Sequence, residues 1–366
     1  MAAVASNGPL AGLRVVEFAS IGPGPHCAML FADQGADVLR IDREGGNGWP
    51  NPIVDRGRAT MTLDIRTESG RETAVEICAL ADVVIEGFRP GVMERLGLGP
   101  DVLLGRNPRL VYGRMTGWGQ DGPLARTAGH DIDYIALTGA LAAIGVPGER
   151  SVPPLNLVGD FGGGSMFLAF GLMTALWERE RSGKGQVVDA AIVDGVSSLM
   201  SMFTGLLPAN RISLDRARNP LGGSAPYYRT YRCANGLEIA VGAIEPQFWA
   251  ELLRILDIQT DDPSAMQREA EWATTAHRLE QVFATETRDA WVERFAGSDA
   301  CVFPVLTLDE AMRNEHLTAR STYLEYDGLT QPAPAPRLSR TPGQIQPGRA
   351  GQATWERWAT DPTGDG

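Results

Sequence analysis

His130 stands in Gly129-His130-Asp131-Ile132-Asp133-Tyr134, an imidazole beside two carboxylates, just downstream of Thr116-Gly117-Trp118-Gly119-Gln120-Asp121-Gly122-Pro123. Such a group titrates near neutrality and suits general acid–base work, although spacing alone fits a capping or loop histidine equally well. Asp160 precedes Phe161-Gly162-Gly163-Gly164, at the expected start of an apolar helix. An N-cap role would account for it. Three consecutive glycines nevertheless cost helix stability, and they make sense where something must approach the backbone closely. A helix start also favours negative charge, on this carboxylate or on a reacting group beside it. Glu245, just before Pro246, carries the same ambiguity: a helix-start acid, or one placed to orient a histidine.

Arginines cluster where strands are expected to end. Arg40 and Arg43 flank Asp42, Arg66 follows Leu63-Asp64-Ile65, and Arg89 and Arg95 sit around Gly87-Phe88-Arg89-Pro90. Most arginines are solvated surface; gathered, these would form a phosphate cradle of guanidinium forks. Gly22-Pro23-Gly24-Pro25 invites a dinucleotide reading with Asp42 on the ribose, but Pro23 and Pro25 delete two of the N–H donors that a pyrophosphate needs, so a tight structural turn is the better reading. Every basic residue except Lys184 is an arginine. That lysine lies in Ser182-Gly183-Lys184-Gly185, an expected exposed turn with nothing to depress its pKa, which argues against Schiff-base chemistry. The four histidines (His26, His130, His277, His316) and four cysteines (Cys27, Cys78, Cys233, Cys301) form no CxxC or metal-ligand spacing. No metal is expected, and reduced cytosolic thiols are the default.

The elements that position these groups come from 366 residues, 43% hydrophobic and 21% charged, enough for roughly two domains. A net charge of -12 with no basic block argues against nucleic acid and anionic membranes as partners. Met1–Gly8 shows no signal-peptide pattern, the last residues are no peroxisomal address, and no run approaches a ~20-residue apolar span, so a cytoplasmic location is expected. Short strands are expected at Arg14–Phe18, Asp37–Asp42, 82–86, 109–114 and 186–194, with helices at His26–Gln34 and 69–80. This alternation predicts an α/β fold, a doubly wound parallel sheet whose ligands bind beyond the strands' carboxyl ends. Met166, Phe170, Met173 and Trp177 share helical spacing and read as core. Tyr228–Cys233 and Leu237–Ala243 form a hairpin through Ala234-Asn235-Gly236, followed by a helix from Glu245-Pro246 to Leu256. Residues 331–351 read as an extended Pro/Gly-rich strap.

Several long, ordered stretches together resemble the family III CoA-transferases and, within them, the α-methylacyl-CoA racemases. They are GLRVVEFASIGPGPHCAMLFADQGADVLRIDR, EGFRPGVMERLGLGP, RMTGWGQDGPLARTAGHDIDYIALTG, PLNLVGDFGGGSMFLAFGLMTALWER, GKGQVVDAAIVDG and VGAIEPQF. The resemblance covers nearly the whole chain. It implies a Rossmann-like, CoA-binding large domain over 1–192 completed by 330–366, linkers at 193–221 and 312–329, and a small α/β domain over 222–311. It implies an interlocked homodimer, each active site lying between one chain's large domain and its partner's small domain. His130 and Asp160 would be the two catalytic acid/bases, with Glu245 orienting the histidine. CoA contacts would fall on Arg43, Leu63, Asp64, Ile65, Arg66, Gly87, Phe88, Arg89, Arg95, Gly129, His130, Asp131, Ile132, Asp133 and Tyr134.

The implied reaction interconverts (2R)- and (2S)-2-methylacyl-CoA thioesters by two-base proton transfer through an enolate-like intermediate, a step of fatty-acid metabolism. It needs no cofactor beyond the CoA carried by the substrate. The oxyanion would be held by backbone N–H groups, that of Asp131 included. The α-methyl group suggests an apolar, Met-lined acyl channel. The alternative within the fold is CoA transfer with Asp160 as nucleophile, against which His130 counts; a non-catalytic acyl-CoA-binding protein fits the combination of His130, Asp160 and Glu245 poorly. Asp133 departs from the asparagine common in the family and adds a negative charge near the site.

Overall fold

The structure is a computed structural model that describes residues 8–46 and 48–361. The chain divides into two compact units: Met1–Thr138 with Leu155–Leu199 and Ser321–Gly366, and Gly139–Pro154 with Met200–Arg320.

The first unit is built on a parallel sheet. Its strands are β1 (Arg14–Phe18), β2 (Asp37–Asp42), β3 (Arg58–Thr62), β4 (Val83–Glu86), β5 (Val111–Thr116), β6 (Val187–Ala191) and the short Arg349–Ala350. In the sheet they stand as Arg349–Ala350, β3, β2, β1, β4, β5, β6. Neighbouring pairs are parallel throughout. β1 and β4 are buried at every residue although each carries charge, and Glu17 of β1 is paired with Arg58 and Glu86 of β4 with Arg114. The strand order reverses between β1 and β4, so the crevice beyond their carboxyl ends is the place for a ligand.

β3 has no counterpart in the sequence reading. Its RATMT string is short and opens on an arginine, yet Arg58 is 2% exposed and its Nε donates to Glu17 Oε2 of β1 at 2.7 Å. The helix after β1 starts at Pro23, three residues earlier than expected, because prolines in a first turn surrender no hydrogen bond. The C-terminal stretch is more regular than a strap. It adds the strand Arg349–Ala350 and the helix Gly351–Thr360, whose fully buried Trp358 donates Nε1 to Asp37 Oδ2 at 2.7 Å.

Two expectations fail along the middle of the chain. The strand drawn over 186–194 stops at Ala191, and Ile192–Leu199 is a helix where a linker was expected. Ser201–Leu206 is helical as well. The apolar, β-branched run gave no sign of the switch; Gly195 makes it possible, since a Cβ there would lie 1.8 Å from the Gly163 carbonyl oxygen. The helix Met166–Ser182 buries Leu168, Leu172 and Leu176, with Leu168 and Leu172 against Gly113 of β5. Met166, Phe170, Met173 and Trp177, read as core, lie on its opposite face, and Phe170 and Trp177 are 69% and 72% exposed. The continuous stretch Leu157–Ser182 is long and apolar enough to cross a membrane, but here its inner face covers the sheet.

The second unit carries a three-stranded antiparallel sheet of β7 (Arg229–Arg232), β8 (Glu238–Val241) and β9 (Val302–Pro304). The expected hairpin through Asn235-Gly236 joins the first two, with Gly236 at φ 79°. Trp249, Phe283 and Trp291, from the helices Pro246–Ile255, Trp272–Phe283 and Arg288–Phe295, fill its core.

Candidate active site

An open cleft of about 860 Å³ lies in the first unit, at the carboxyl ends of β1, β4, β5 and β6. Residues following β1 (Ser20 to Pro23), β4 (Gly87 to Pro90), β5 (Gly117, Trp118) and β6 (Ile192) line it, together with Gly129, His130, Tyr134, Asn156, Asp160 and Phe161. The cleft therefore unites seven residues singled out from sequence: Gly87, Phe88, Arg89, Gly129, His130, Tyr134 and Asp160.

His130 is exposed at the cleft and caps the helix Asp131–Leu137 with an extended backbone. Its N–H donates to Asp133 Oδ2 at 3.0 Å, one half of a capping box. Asp133 thus has a local structural task, which an asparagine oxygen would also perform. Tyr134, one turn into the helix, fixes the approach to His130. Its hydroxyl donates to the Gly129 carbonyl and its ring meets Trp118 edge-on with centroids 4.7 Å apart. A Cβ at Gly117 would fall 2.0 Å from this ring and one at Gly129 2.7 Å, so both glycines are required for the ring's seat.

Asp160 is no N-cap. It lies in the first turn of a π-helical segment, Leu157–Ser165, that runs straight into the helix Met166–Ser182. π-geometry is rare and tends to appear at functional sites. The glycines serve close packing: a Cβ on Gly163 would sit 2.6 Å from Val196 Cγ2, and one on Gly164 would press both Ile192 and Pro23 at 3.1 Å. What approaches this backbone is the helix Ile192–Leu199. On the cleft side, Gly22 at φ 73° lies where a Cβ would be 3.1 Å from Asp160 Oδ2. The Gly-Pro-Gly-Pro turn thus forms a wall against the carboxylate.

Burial raises the Asp160 carboxyl above the ordinary carboxylate range. A hydrogen bond from Asn156 Nδ2 to Oδ2 at 3.2 Å opposes this, the Asp131 charge adds to it, and a charged His130 opposes it. A carboxyl so placed holds a proton at higher pH than a solvated one and can act as an acid as well as a base. His26 lies behind: its Nδ1 is 2.7 Å from Ser165 Oγ and its ring rests on Phe161, and burial lowers its pKa, which keeps it neutral.

The arginines divide. Arg40 is buried between Asp42 and Asp55 and belongs to the fold. Arg89 is exposed and lines the cleft. Arg43 and Arg95 are exposed away from its lining, and Arg43 Nε donates to the Gly46 carbonyl at 2.8 Å. Arg66 is 81% exposed in a two-point pair with Asp64, at 2.8 and 3.0 Å, while Leu63 and Ile65 anchor their loop in the core. Asp131, Ile132 and Asp133 do not line the cleft, and Asp131 is buried. Glu245 lies in the second unit, exposed, at the N-cap of the helix Pro246–Ile255.

Residues 10–353 match the family described as CoA-transferase family III. The chain belongs to that family. It is 45% identical over 334 residues to the alpha-methylacyl-CoA racemase of Mus musculus, covering 91% of this chain and 87% of that one. Identity to the alpha-methylacyl-CoA racemase of Homo sapiens is 43% over 335 residues, with the same coverage. A probable fatty acyl-CoA transferase of Mycobacterium tuberculosis is 31% identical over 317 residues, covering 78% of this chain and 79% of that one. The crystal structure of a CAIB/BAIF family protein from Brucella suis superposes with a TM-score of 0.81 at 25% identity, covering 97% of this chain and 99% of that one.

Within this family fold, sequence reasoning missed Ser20, Trp49, Asn156 and Trp118 as lining residues. Ser20, Trp118 and Asn156 lie in the long ordered stretches quoted above, where their position at strand ends or just before Asp160 could have flagged them, whereas Trp49 comes from a loop with no motif. The cleft lining holds one methionine, Met115, and four aromatic side chains besides Tyr134 and His130: Trp49, Phe88, Trp118 and Phe161.

Proposed function

We propose that this protein is an isomerase, a 2-methylacyl-CoA racemase that works by two-base proton transfer. The observation that carries the reading is the placement of His130 and Asp160 on one cleft, with Asp160 raised by burial so that it can hold or release a proton. The identity to proteins named alpha-methylacyl-CoA racemase over about nine-tenths of the chain supports the substrate class.

In one direction His130 removes the C2 proton of the thioester and the electron pair moves onto the carbonyl oxygen. Protonated Asp160 then delivers its proton to the opposite face of C2. The reverse direction exchanges the roles, and both groups re-equilibrate with solvent between turnovers. The Asp131 N–H, first in its helix, directly after the cleft residue His130 and without an intrahelical acceptor, is the proposed donor to the enolate oxygen, although the Asp131 side chain itself is turned away from the cleft. Arg89 at the cleft is the proposed first contact for the CoA phosphates, with Arg43, Arg66 and Arg95 further out, and no separate cofactor is required.

Homodimerisation, with Glu245 orienting His130, belongs to the same reading. The exposed row Met166, Phe170, Met173 and Trp177 favours association, because isolated monomers seldom leave such a row in water. Cytoplasmic location is likewise proposed, and the free cysteines suit a reducing compartment.

Incubation of the pure protein with (2R)-2-methylacyl-CoA in D₂O tests the reading. It expects deuterium at C2 and (2S) product. Neither would sink it, and thioester exchange onto a free acid, with Asp160 trapped as an adduct, would install the transferase alternative instead.

A further inference from the structure

Asp131 follows His130 directly and opens its helix. Its side chain turns inward, 8% of the residue being exposed, and Oδ2 accepts the backbone N–H of Asp160 at 2.7 Å. The contact is as close as the backbone allows: a Cβ on Gly159 would lie 2.2 Å from Oδ2. Asp131 Oδ1 is buried with no hydrogen-bond partner among the described residues. Burial raises the Asp131 carboxyl while the backbone N–H groups of Asp160 and Gly159 favour its charged form, and a carboxylate so buried costs stability that an apolar side chain of the same size would not. A simple fastener between helix and π-segment would not need that charge.

We infer that Asp131 is a positioning residue, a carboxylate strut that fixes the spacing of His130 and Asp160 across C2 and holds the π-helical turn at Asp160 in register. This rests on the two-base reading above. One end of the strut is covalently next to His130, and the other is hydrogen-bonded to the backbone of Asp160 itself. Its charge also faces the Asp160 carboxyl and favours its protonated form. Geometry and proton affinity at Asp160 therefore depend on one side chain that touches no substrate.

The test compares Asp131→Ala, which removes both the acceptor for the Asp160 N–H and the charge, with the unaltered protein in D₂O, following C2 exchange and inversion separately. Inversion should fall at least about tenfold, as expected when a reacting group is misplaced by a fraction of an ångström. Exchange with retention should persist for the enantiomer that presents its C2 proton to His130. The pH limb belonging to Asp160 should move to lower pH as the neighbouring charge is lost. A merely structural role would lower both processes together and leave the limb in place, and that result overturns the inference.

Gly159→Ala, which crowds Asp131 Oδ2 but leaves that side chain unaltered, supplies a check whose single-variant arm stands even if the Asp131 variant folds poorly. It should reproduce the loss of inversion in the unaltered background but cost under about threefold when Asp131 is already alanine, because contacting residues couple. Equal losses in both backgrounds would also overturn the strut. If the unaltered protein neither exchanges nor inverts, the racemase reading fails first and takes this inference with it.

Discussion

Asn156, at the N-cap of the π-helical segment, donates its side-chain amide to Asp160 Oδ2 across 3.2 Å. This bond favours the carboxylate and works against the burial that raises the group. Asn156→Ala should therefore raise Asp160 further. The direction that uses Asp160 as acid should keep its rate to higher pH, and the direction that uses it as base should need a higher pH to start. Asn156 is exposed, so the bond is worth less than the ~1.5–3 kcal/mol of a buried charged one, and the limb should move to higher pH. Profiles of kcat/KM in both directions check this. A limb that stays put or moves to lower pH contradicts it.

His130→Ala and Asp160→Ala should each lower racemisation by about 10²–10⁴-fold, the usual range for a lost acid–base group. Neither side chain needs to carry the CoA moiety, so its Kd, read by calorimetry, should change less than threefold. Near-full activity in either variant would refute the two-base assignment.

Arg89 and Arg66 should behave differently although both look like phosphate ligands in the sequence. Arg66 already shares its fork with Asp64, both largely in solvent, whereas Arg89 faces the cleft. Arg89→Ala should weaken CoA-thioester binding by about tenfold, the value of one charge-assisted contact. Arg66→Ala should cost less than half that in free energy. Binding at two salt concentrations separates them, and the reverse ranking would contradict the geometry.

Gly22→Ala should impair inversion without loss of fold. Gly22 holds φ 73° and ψ -119°, a region that an L side chain enters only with strain, and the new methyl would meet Asp160 Oδ2 at 3.1 Å. A fall in kcat of about tenfold with KM nearly constant is the expected split. A change confined to KM would place this turn in binding rather than in holding the carboxylate.

The sheet was legible because β1, β2 and β4 are short, mostly apolar segments punctuated by turns, and the GHDIDY and GDFGGG stretches carried both proposed proton-transfer residues. β3 was not, since its leading arginine is buried by virtue of an ion pair with Glu17, a partner 41 residues away. The Met166–Trp177 row misled because helical spacing marks a shared face and does not say whether that face meets the sheet or solvent. The role of Asp131 was invisible for a similar reason. Its partner is a backbone N–H 29 residues on, and a backbone donor leaves no mark in sequence.

Arg58 and Glu17 give the strongest expected stability effect. Both are essentially buried, and Arg58 also donates to the carbonyls of Val54 and Pro25. Arg58→Met leaves the Glu17 charge buried and unpaired, which should cost about 3–5 kcal/mol in urea unfolding. Removing both charges, in Glu17→Leu with Arg58→Met, should recover much of that loss. Arg58→Lys should fall between, because a point ammonium cannot reach a carboxylate and two carbonyls set around a planar fork. Additive losses in the double variant would mean that the two side chains do not act as a pair. The near absence of lysine then has a structural side besides any role in phosphate binding: Arg40, Arg56, Arg58 and Arg114 are all committed to ion pairs inside this unit. The arginines free to meet an anion are therefore far fewer than the composition suggests, and Arg89 is the one that the cleft exposes.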